Sequence, residues 1–302
     1  MRYKFVTCDV FTAKRFGGNQ LAVLPDARGL TDAQMLAVTR EFGYSETVFV
    51  LPPEHGGTRR VRIYTPGGEV PFAGHPTVGC AAVLAHAGLV TLAGGRGRVV
   101  LEEGVGPVPV SLRAADRGLA YAQFTAAKLP ETGPAPPPRE ALAAMLSLAP
   151  DDLLDGEWAP QGVSCGLAFL LVPLRDRDAV RRSRMRLDQW ERTLKGWWSE
   201  KVLLFSRDPE HGGPGARARM YAPGIGVPED PATGSAAAAL AGYLAARDPR
   251  REGTLAWAIE QGYEMGRPSQ IEIEADKHDG RVTAVRVGGN AVVVAEGEIE
   301  ID

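Results

Sequence analysis

RVRIYTPGGEVP, residues 60–71, returns as RARMYAPGIGVP at residues 217–228. Arg60, Arg62, Tyr64, Pro66, Gly67, Val70 and Pro71 meet Arg217, Arg219, Tyr221, Pro223, Gly224, Val227 and Pro228. The repeat distance is about half the chain, which marks a duplicated domain and not a solenoid of short units. The parallels continue outward. TDAQMLAVTREFG (31–43) reads as a helix, with Thr31 as N-cap and Gln34 completing a capping box. DQWERTLKGWWSE (188–200) sits at the same shift and is helical in pattern. The apolar runs ETVFVL (46–51) and KVLLF (201–205) follow and read as strands. Each copy then turns into a helix of small residues, in VPFAGHPTVGCAAVLAHAG (70–88) and VPEDPATGSAAAALAGYL (227–244). Strand-like runs come next: RVVLEE, GPVPVSLR and LAYAQFT after the first helix, TLAWAIEQG, SQIEIEAD, RVTAVRVGG and AVVVAEGEIEI after the second.

Consecutive strands after each helix do not suit an alternating, doubly wound α/β sheet. A surface helix carries a polar face, and these two small-residue helices carry almost none. The expected fold is therefore α+β, with two pseudo-symmetric domains, each a curved mixed sheet or barrel around a central apolar helix. PETGPAPPPRE (130–140) holds five prolines and marks the boundary. The expected domains are residues 1–128 and 129–289.

Thirty-four basic and 37 acidic residues give a net charge of -3, which argues against a nucleic-acid binder. The most basic run, RDRDAVRRSRMRLDQW (175–190), alternates in sign and reads as a solvated helix face. Three cysteines without C-x-x-C spacing argue against a disulfide framework or a zinc site. No apolar run is long enough to span a membrane. The expectation is a soluble, cytoplasmic protein that binds neither nucleic acid nor membrane and needs no metal.

A helix N-terminus offers unpaired N–H groups and partial positive charge, a ready seat for a carboxylate or oxyanion. Small residues at Gly74, Gly79, Gly234 and Ser235 let a ligand approach the backbone. The two turns differ in ionisable residues: His75 stands in the first, Glu229 and Asp230 in the second. At the repeat shift Glu46 lies over Leu203. A scaffold kept in both copies but diverging at polar positions points to one composite site. Glu46, desolvated at the edge of an apolar strand, is expected to act as a base that returns its proton. His75 and Asp230 would take or hold protons, and helix-end N–H groups would stabilise an enolate-like intermediate. His55, His86, His211 and His278 read as structural or solvated, and the tryptophans at 190, 197 and 198 as helix packing.

DVFTAKRFGGNQLAVL, YSETVFV, RIYTPGGEVPFAGHPTVGCA and GVPEDPATGSAAAALAGYL, in this order, resemble the signatures of the PhzF-like phenazine-biosynthesis family. The resemblance covers the whole chain and implies a diaminopimelate epimerase-like fold, with the final residues, 290–302, returning to the first domain. It implies a cofactor-independent isomerase that moves a proton on a small carboxylate-bearing substrate, as the family's founding enzyme does on trans-2,3-dihydro-3-hydroxyanthranilate. The matching catalytic residues would be Glu46, His75 and Asp230. Asn19, Ser45, Gly74, Gly234 and Ser235 would bind substrate, and a homodimer is implied. Two departures stand out. Epimerase relatives use paired cysteines, whereas Ala73 precedes Gly74 here and the second turn reads Pro-Ala-Thr. Many family members carry proline after the early Gly-Asn, where this chain has Gln20. The alternatives are an amino- or hydroxy-acid epimerase or racemase, and a non-catalytic protein that binds small anions.

Overall fold

The computed structural model describes residues 1–114 and 120–302. Leu119, which opens the expected LAYAQFT strand, lies outside the described residues. The chain divides into two compact units, Met1–Ala127 with Val287–Asp302, and Lys128–Arg286.

The first unit contains β1 (Arg2–Val10), β2 (Asn19–Leu24), α1 (Asp32–Phe42), β3 (Glu46–Leu51), β4 (Arg59–Thr65) and β5 (Gly68–Val70). α2 (Gly74–His86), β6 (Arg96–Glu103), β7 (Gly106–Ala114) and β8 (Ala120–Thr125) follow. α1 starts at the expected capping box: Thr31 Oγ1 accepts from the Gln34 N–H, and the Thr31 N–H donates to Gln34 Oε1 at 2.9 Å. β1 pairs antiparallel with β2, β2 lies parallel to β3, and β3 is antiparallel to β4. β4 runs parallel to β6, and β6, β7 and β8 form an antiparallel meander. β8 pairs with the last strand, β17 (Arg281–Glu300), which pairs back onto β1. The ring therefore closes and leaves these strands without an open edge. α2 packs inside against β1, β2, β3, β7 and β8, and it is buried without interruption from Gly74 to Leu84.

The second unit repeats the plan. After β9 (Glu131–Thr132) and α3 (Arg139–Leu146) come β10 (Gln161–Ser164), β11 (Ala168–Pro173), α4 (Arg177–Arg182) and α5 (Leu187–Thr193). β12 (Val202–Ser206), β13 (Gly215–Ala222), β14 (Val227–Asp230), α6 (Gly234–Arg247), β15 (Gly253–Gln261) and β16 (Ser269–His278) complete it. β11 lies parallel to β12 as β2 does to β3, and β13 parallel to β15 as β4 does to β6. α6 is buried from Gly234 to Ala245 against β10, β11, β15 and β16. The α+β reading, a mixed sheet around a central apolar helix in each copy, holds. A helix surrounded by sheet has no face left for water, which is why both helices lack a polar stripe.

Their thinness has a measurable consequence. A Cβ added at Gly79 would lie 2.5 Å from Leu21 Cδ2 and 2.7 Å from Val10 Cγ2. At Gly242 it would lie 2.5 Å from Pro130 Cβ. Alanine favours a helix over glycine by about 1 kcal/mol. Overpacking a filled core costs about 1–3 kcal/mol, so packing wins. Gly79→Ala is expected to lower the denaturation midpoint, and an unchanged or raised midpoint would contradict this packing.

Three local expectations are corrected. The helix expected over 188–200 ends at Thr193. Gly196 adopts a left-handed φ of 78°, and its N–H donates to Glu200 Oε1 and not to a helical carbonyl. Trp197 and Trp198 consequently lie beyond the helix. The basic run 175–190 forms two short helices, and its second half is not one continuous face. Finally, Val48 faces Ile63, while Leu203 faces Met220, the repeat partner of Ile63. Leu203 is thus the counterpart of Val48, and Lys201, two residues earlier, is that of Glu46.

The register also exposes a shared device at the barrel rim. Arg60 stands beside Glu102 on parallel strands as Arg217 stands beside Glu260. Glu102 accepts the backbone N–H groups of Glu54, His55 and Gly57 at 2.7–2.8 Å, and these bonds hold its carboxyl below the usual range. Glu260 accepts those of Glu210 and His211, both at 2.8 Å. Each carboxylate ties a strand-connecting loop to the sheet.

Candidate active site

Each unit assembles its own set of polar groups at the start of its central helix. In the first unit β2 begins at Asn19, β3 at Glu46 and α2 at Gly74. Leu21 of β2 faces Glu46 across the parallel pair, so these strand starts lie side by side. Asn19 Nδ2 lies 3.2 Å from His75 Nδ1, and Ser45 Oγ donates to Asn19 Oδ1 at 3.4 Å. His75 Nε2 is 3.6 Å from Glu46 Oε2, beyond hydrogen-bond range. The structure thus brings together Asn19, Ser45, Glu46, Gly74 and His75.

Asn19 Nδ2 and the Gln20 backbone both meet the ring, while Nε2, which faces Glu46, makes no hydrogen bond. Burial pushes the His75 ring down to about 3, against a backbone hydrogen bond at Gln20 that works upward. At neutral pH the His75 ring is uncharged and not an imidazolium. The same shift limits stability in acid. The unfolded ring takes up a proton near its ordinary 6.5, while the folded ring resists until about 3, so stability present above 6.5 is lost as pH falls through that window. Between about pH 6.5 and about pH 4 this amounts to about 3 kcal/mol. Denaturant titrations at both pH values are expected to show this loss in the wild type and a much smaller one in His75→Gln. Equal losses would place the acid sensitivity elsewhere.

In the second unit β14 ends at Asp230 and α6 begins at Gly234. Asp230 Oδ2 accepts from Thr233 Oγ1 at 2.5 Å, and its backbone carbonyl accepts from Gln261 Nε2 at 2.7 Å. Gln261 Oε1 in turn accepts the Thr233 N–H at 3.3 Å. The first helical bond of α6 runs from the Ala237 N–H to the Thr233 carbonyl. The N–H groups of Gly234, Ser235 and Ala236 therefore precede the helical ladder, as an anion seat requires. α2 presents fewer such donors because Pro76 has no N–H. Aligned by their first residues, the helices put Ser235 opposite His75 and Thr233 opposite Ala73.

The two adjacent acids separate. Successive strand residues point to opposite faces. Glu229 is turned to Arg219, with both guanidinium–carboxylate bonds at 2.8 Å. Arg219 Nη1 also donates to the Ser183 carbonyl at 2.8 Å. Glu229 belongs to the frame, while Asp230 sits beside the α6 start. Gln261 is a residue that sequence reading missed. Its signal is the end of TLAWAIEQG lying over the end of RVVLEE, so that Glu103 and Gln261 are counterparts.

All three thiols are buried, and burial raises each of their pKa values. They are poor thiolate bases, which agrees with the absence of cysteine from both turns. Among the described residues no three His, Cys, Asp or Glu side chains converge as a metal cage, and no helix is long and apolar enough to cross a membrane. A cavity of about 1020 Å³ in the first unit is lined by the first residues of β1 and the last of β3, away from Glu46 and His75.

A family model described as phenazine biosynthesis-like protein, PhzC-PhzF, matches residues 8–297. An uncharacterised isomerase from Mesorhizobium japonicum is 41% identical, with 98% of each chain covered. A trans-2,3-dihydro-3-hydroxyanthranilate isomerase from Pseudomonas aeruginosa is 36% identical, again with 98% of each covered. The crystal structure of a PhzF-family phenazine biosynthesis protein from Bacillus anthracis superposes with a TM-score of 0.88 at 25% identity, covering 100% of both chains.

Proposed function

The chain belongs to the PhzC-PhzF phenazine biosynthesis-like family and is an isomerase; from that premise we propose that it shifts a proton between carbons of a small cyclic carboxylate, with Glu46 as acid and base. The observation that carries this reading is the Glu46 carboxylate held 3.6 Å from a buried, uncharged His75. Glu46 breaks a C–H bond and keeps the proton, and the electron pair moves into the ring as an enol- or enolate-type system. The same carboxyl then returns the proton to a different carbon, so the product is an isomer and no redox partner is needed. His75, oriented by Asn19 and Ser45, sets an uncharged ring beside the Glu46 carboxyl. The amides of Gly234 and Ser235 at the start of α6 suit a substrate carboxylate, and Gly74 leaves the first turn of α2 open to close approach. Asp230, fixed by Thr233 and Gln261, serves as the second proton-handling group.

The name of the Pseudomonas aeruginosa relative supports trans-2,3-dihydro-3-hydroxyanthranilate as the compound to test. Incubation in deuterated water, with the product identified by NMR, is expected to show a moved double bond. Inversion at one carbon with the double bonds unmoved would favour the epimerase reading. Binding of 3-hydroxyanthranilate without any turnover would favour the anion-binding one. A cytoplasmic, cofactor-free homodimer belongs to the same proposal, and light scattering on purified protein tests the dimer.

A further inference from the structure

Glu103, the last residue of β6, is buried against the first turns of α2 and takes no part in the proposed chemistry. Its Oε1 lies 2.8 Å from Thr77 Oγ1, and Oε2 has no hydrogen-bond partner. Thr77 Oγ1 also lies 2.8 Å from the carbonyl of Ala73, the N-cap of α2. A hydroxyl has one hydrogen, yet both neighbours are acceptors if Glu103 is ionised. The proton count closes when Glu103 is a carboxylic acid: its O–H donates to Thr77, and Thr77 donates to Ala73. An ionised carboxylate here would be a buried charge with at most one donor, which is costly.

The second repeat supplies an independent argument. Leu101 and Glu102 stand beside Arg59 and Arg60 as Ile259 and Glu260 stand beside Ala216 and Arg217. The next residues are Glu103 and Gln261. Gln261 has the shape of a protonated glutamate, and its Nε2 donates to Asp230 and Thr233 at the start of α6. Both copies thus place a neutral donor at the strand end to tie down the turn before the central helix. We propose that Glu103 is a protonated carboxylic acid that positions the first turn of α2, and with it Gly74 and His75, through Thr77. The positioning role rests on reading that turn as part of the active site. The protonation does not.

Burial raises the Glu103 carboxyl to about 8, with the Thr77 bond working the other way. No charged side chain among the described residues contributes; the ionisable groups facing it are the Cys80 thiol of α2 and, beyond it, the Cys8 thiol of β1. Both thiols have pKa values raised by burial, so they stay neutral across the same range. The stabilising contribution is complete below the ordinary 4.5 and is lost as pH rises through about 8.

The test compares wild type with Glu103→Gln. Infrared spectra of protein labelled with 13C-glutamate are expected to show a protonated carboxyl band near neutral pH that fades as pH rises and is missing in the variant. Amide exchange of residues 72–80, corrected for intrinsic rate, is expected to accelerate above about pH 8 in wild type only. Turnover of the variant is expected to stay within about threefold of wild type near pH 6.5, because size and donor are kept, and to hold above about pH 8, where wild-type turnover is expected to fall. A band absent from wild type, or retained in the variant, would overturn the protonation. Parallel exchange in both proteins would overturn the positioning. Infrared and exchange measurements need no turnover, so failure of the proposed reaction is read separately. If the variant does not fold, the labelled wild type alone decides the protonation, and its own pH-dependent exchange decides the positioning.

Discussion

Glu46→Gln is expected to lower kcat by about 10²–10⁴-fold, the range for removing a general acid–base group, with folding and ligand affinity nearly unchanged. Glu46 opens β3, with its neighbours Thr47 and Val48 fully buried. Its carboxyl faces the His75 ring at 3.6 Å, and glutamine keeps the shape while losing the basic oxygen pair. Wild type is expected to exchange substrate hydrogen with deuterated water or to form the isomer, and the variant to bind 3-hydroxyanthranilate without doing either. A variant retaining more than about a tenth of wild-type kcat would remove Glu46 from the role of base.

Glu229→Gln and Asp230→Asn, one residue apart, are expected to fail in opposite ways. Glu229 is the partner of Arg219, whose side chain is 5% exposed. Removing one member of a buried pair leaves an uncompensated charge and costs about 3–5 kcal/mol. Glu229→Gln is therefore expected to lose stability of that order, while the fraction that remains folded turns over at about the wild-type kcat. Asp230→Asn is expected to keep most of its stability, since Thr233 and Gln261 still find acceptors, and to lose turnover. Denaturant titration and kinetics at a temperature where both variants are folded separate the two effects. A stable Glu229→Gln with lost turnover would exchange the assignments.

Much of the frame was legible in the chain. The seven identities between 60–71 and 217–228 reported the duplication because three sit on β4 and β13, which have the same neighbours in each unit, and the other four on the turn and short strand segment that follow. The missing polar face of the two helices reported the ring of strands, because only burial on all sides removes the need for one. The capping box at Thr31 was readable because it is a contact between residues three apart. Elements set by distant partners were not readable. Leu203 gave way to Lys201 as the counterpart of Glu46 only once the pairing of β12 with β13 was known.

The sequence by itself determined the duplicated plan, the family and the short segments that carry the polar residues, because these depend on order and local pattern. Only the tertiary structure decided that Glu229 braces the frame while Asp230 flanks the helix start, that His75 is buried, and that Glu103 stands where the other copy has glutamine. Those facts depend on which face a strand presents and on how much water and charge its distant neighbours leave around a group, and neither is written in the order of residues.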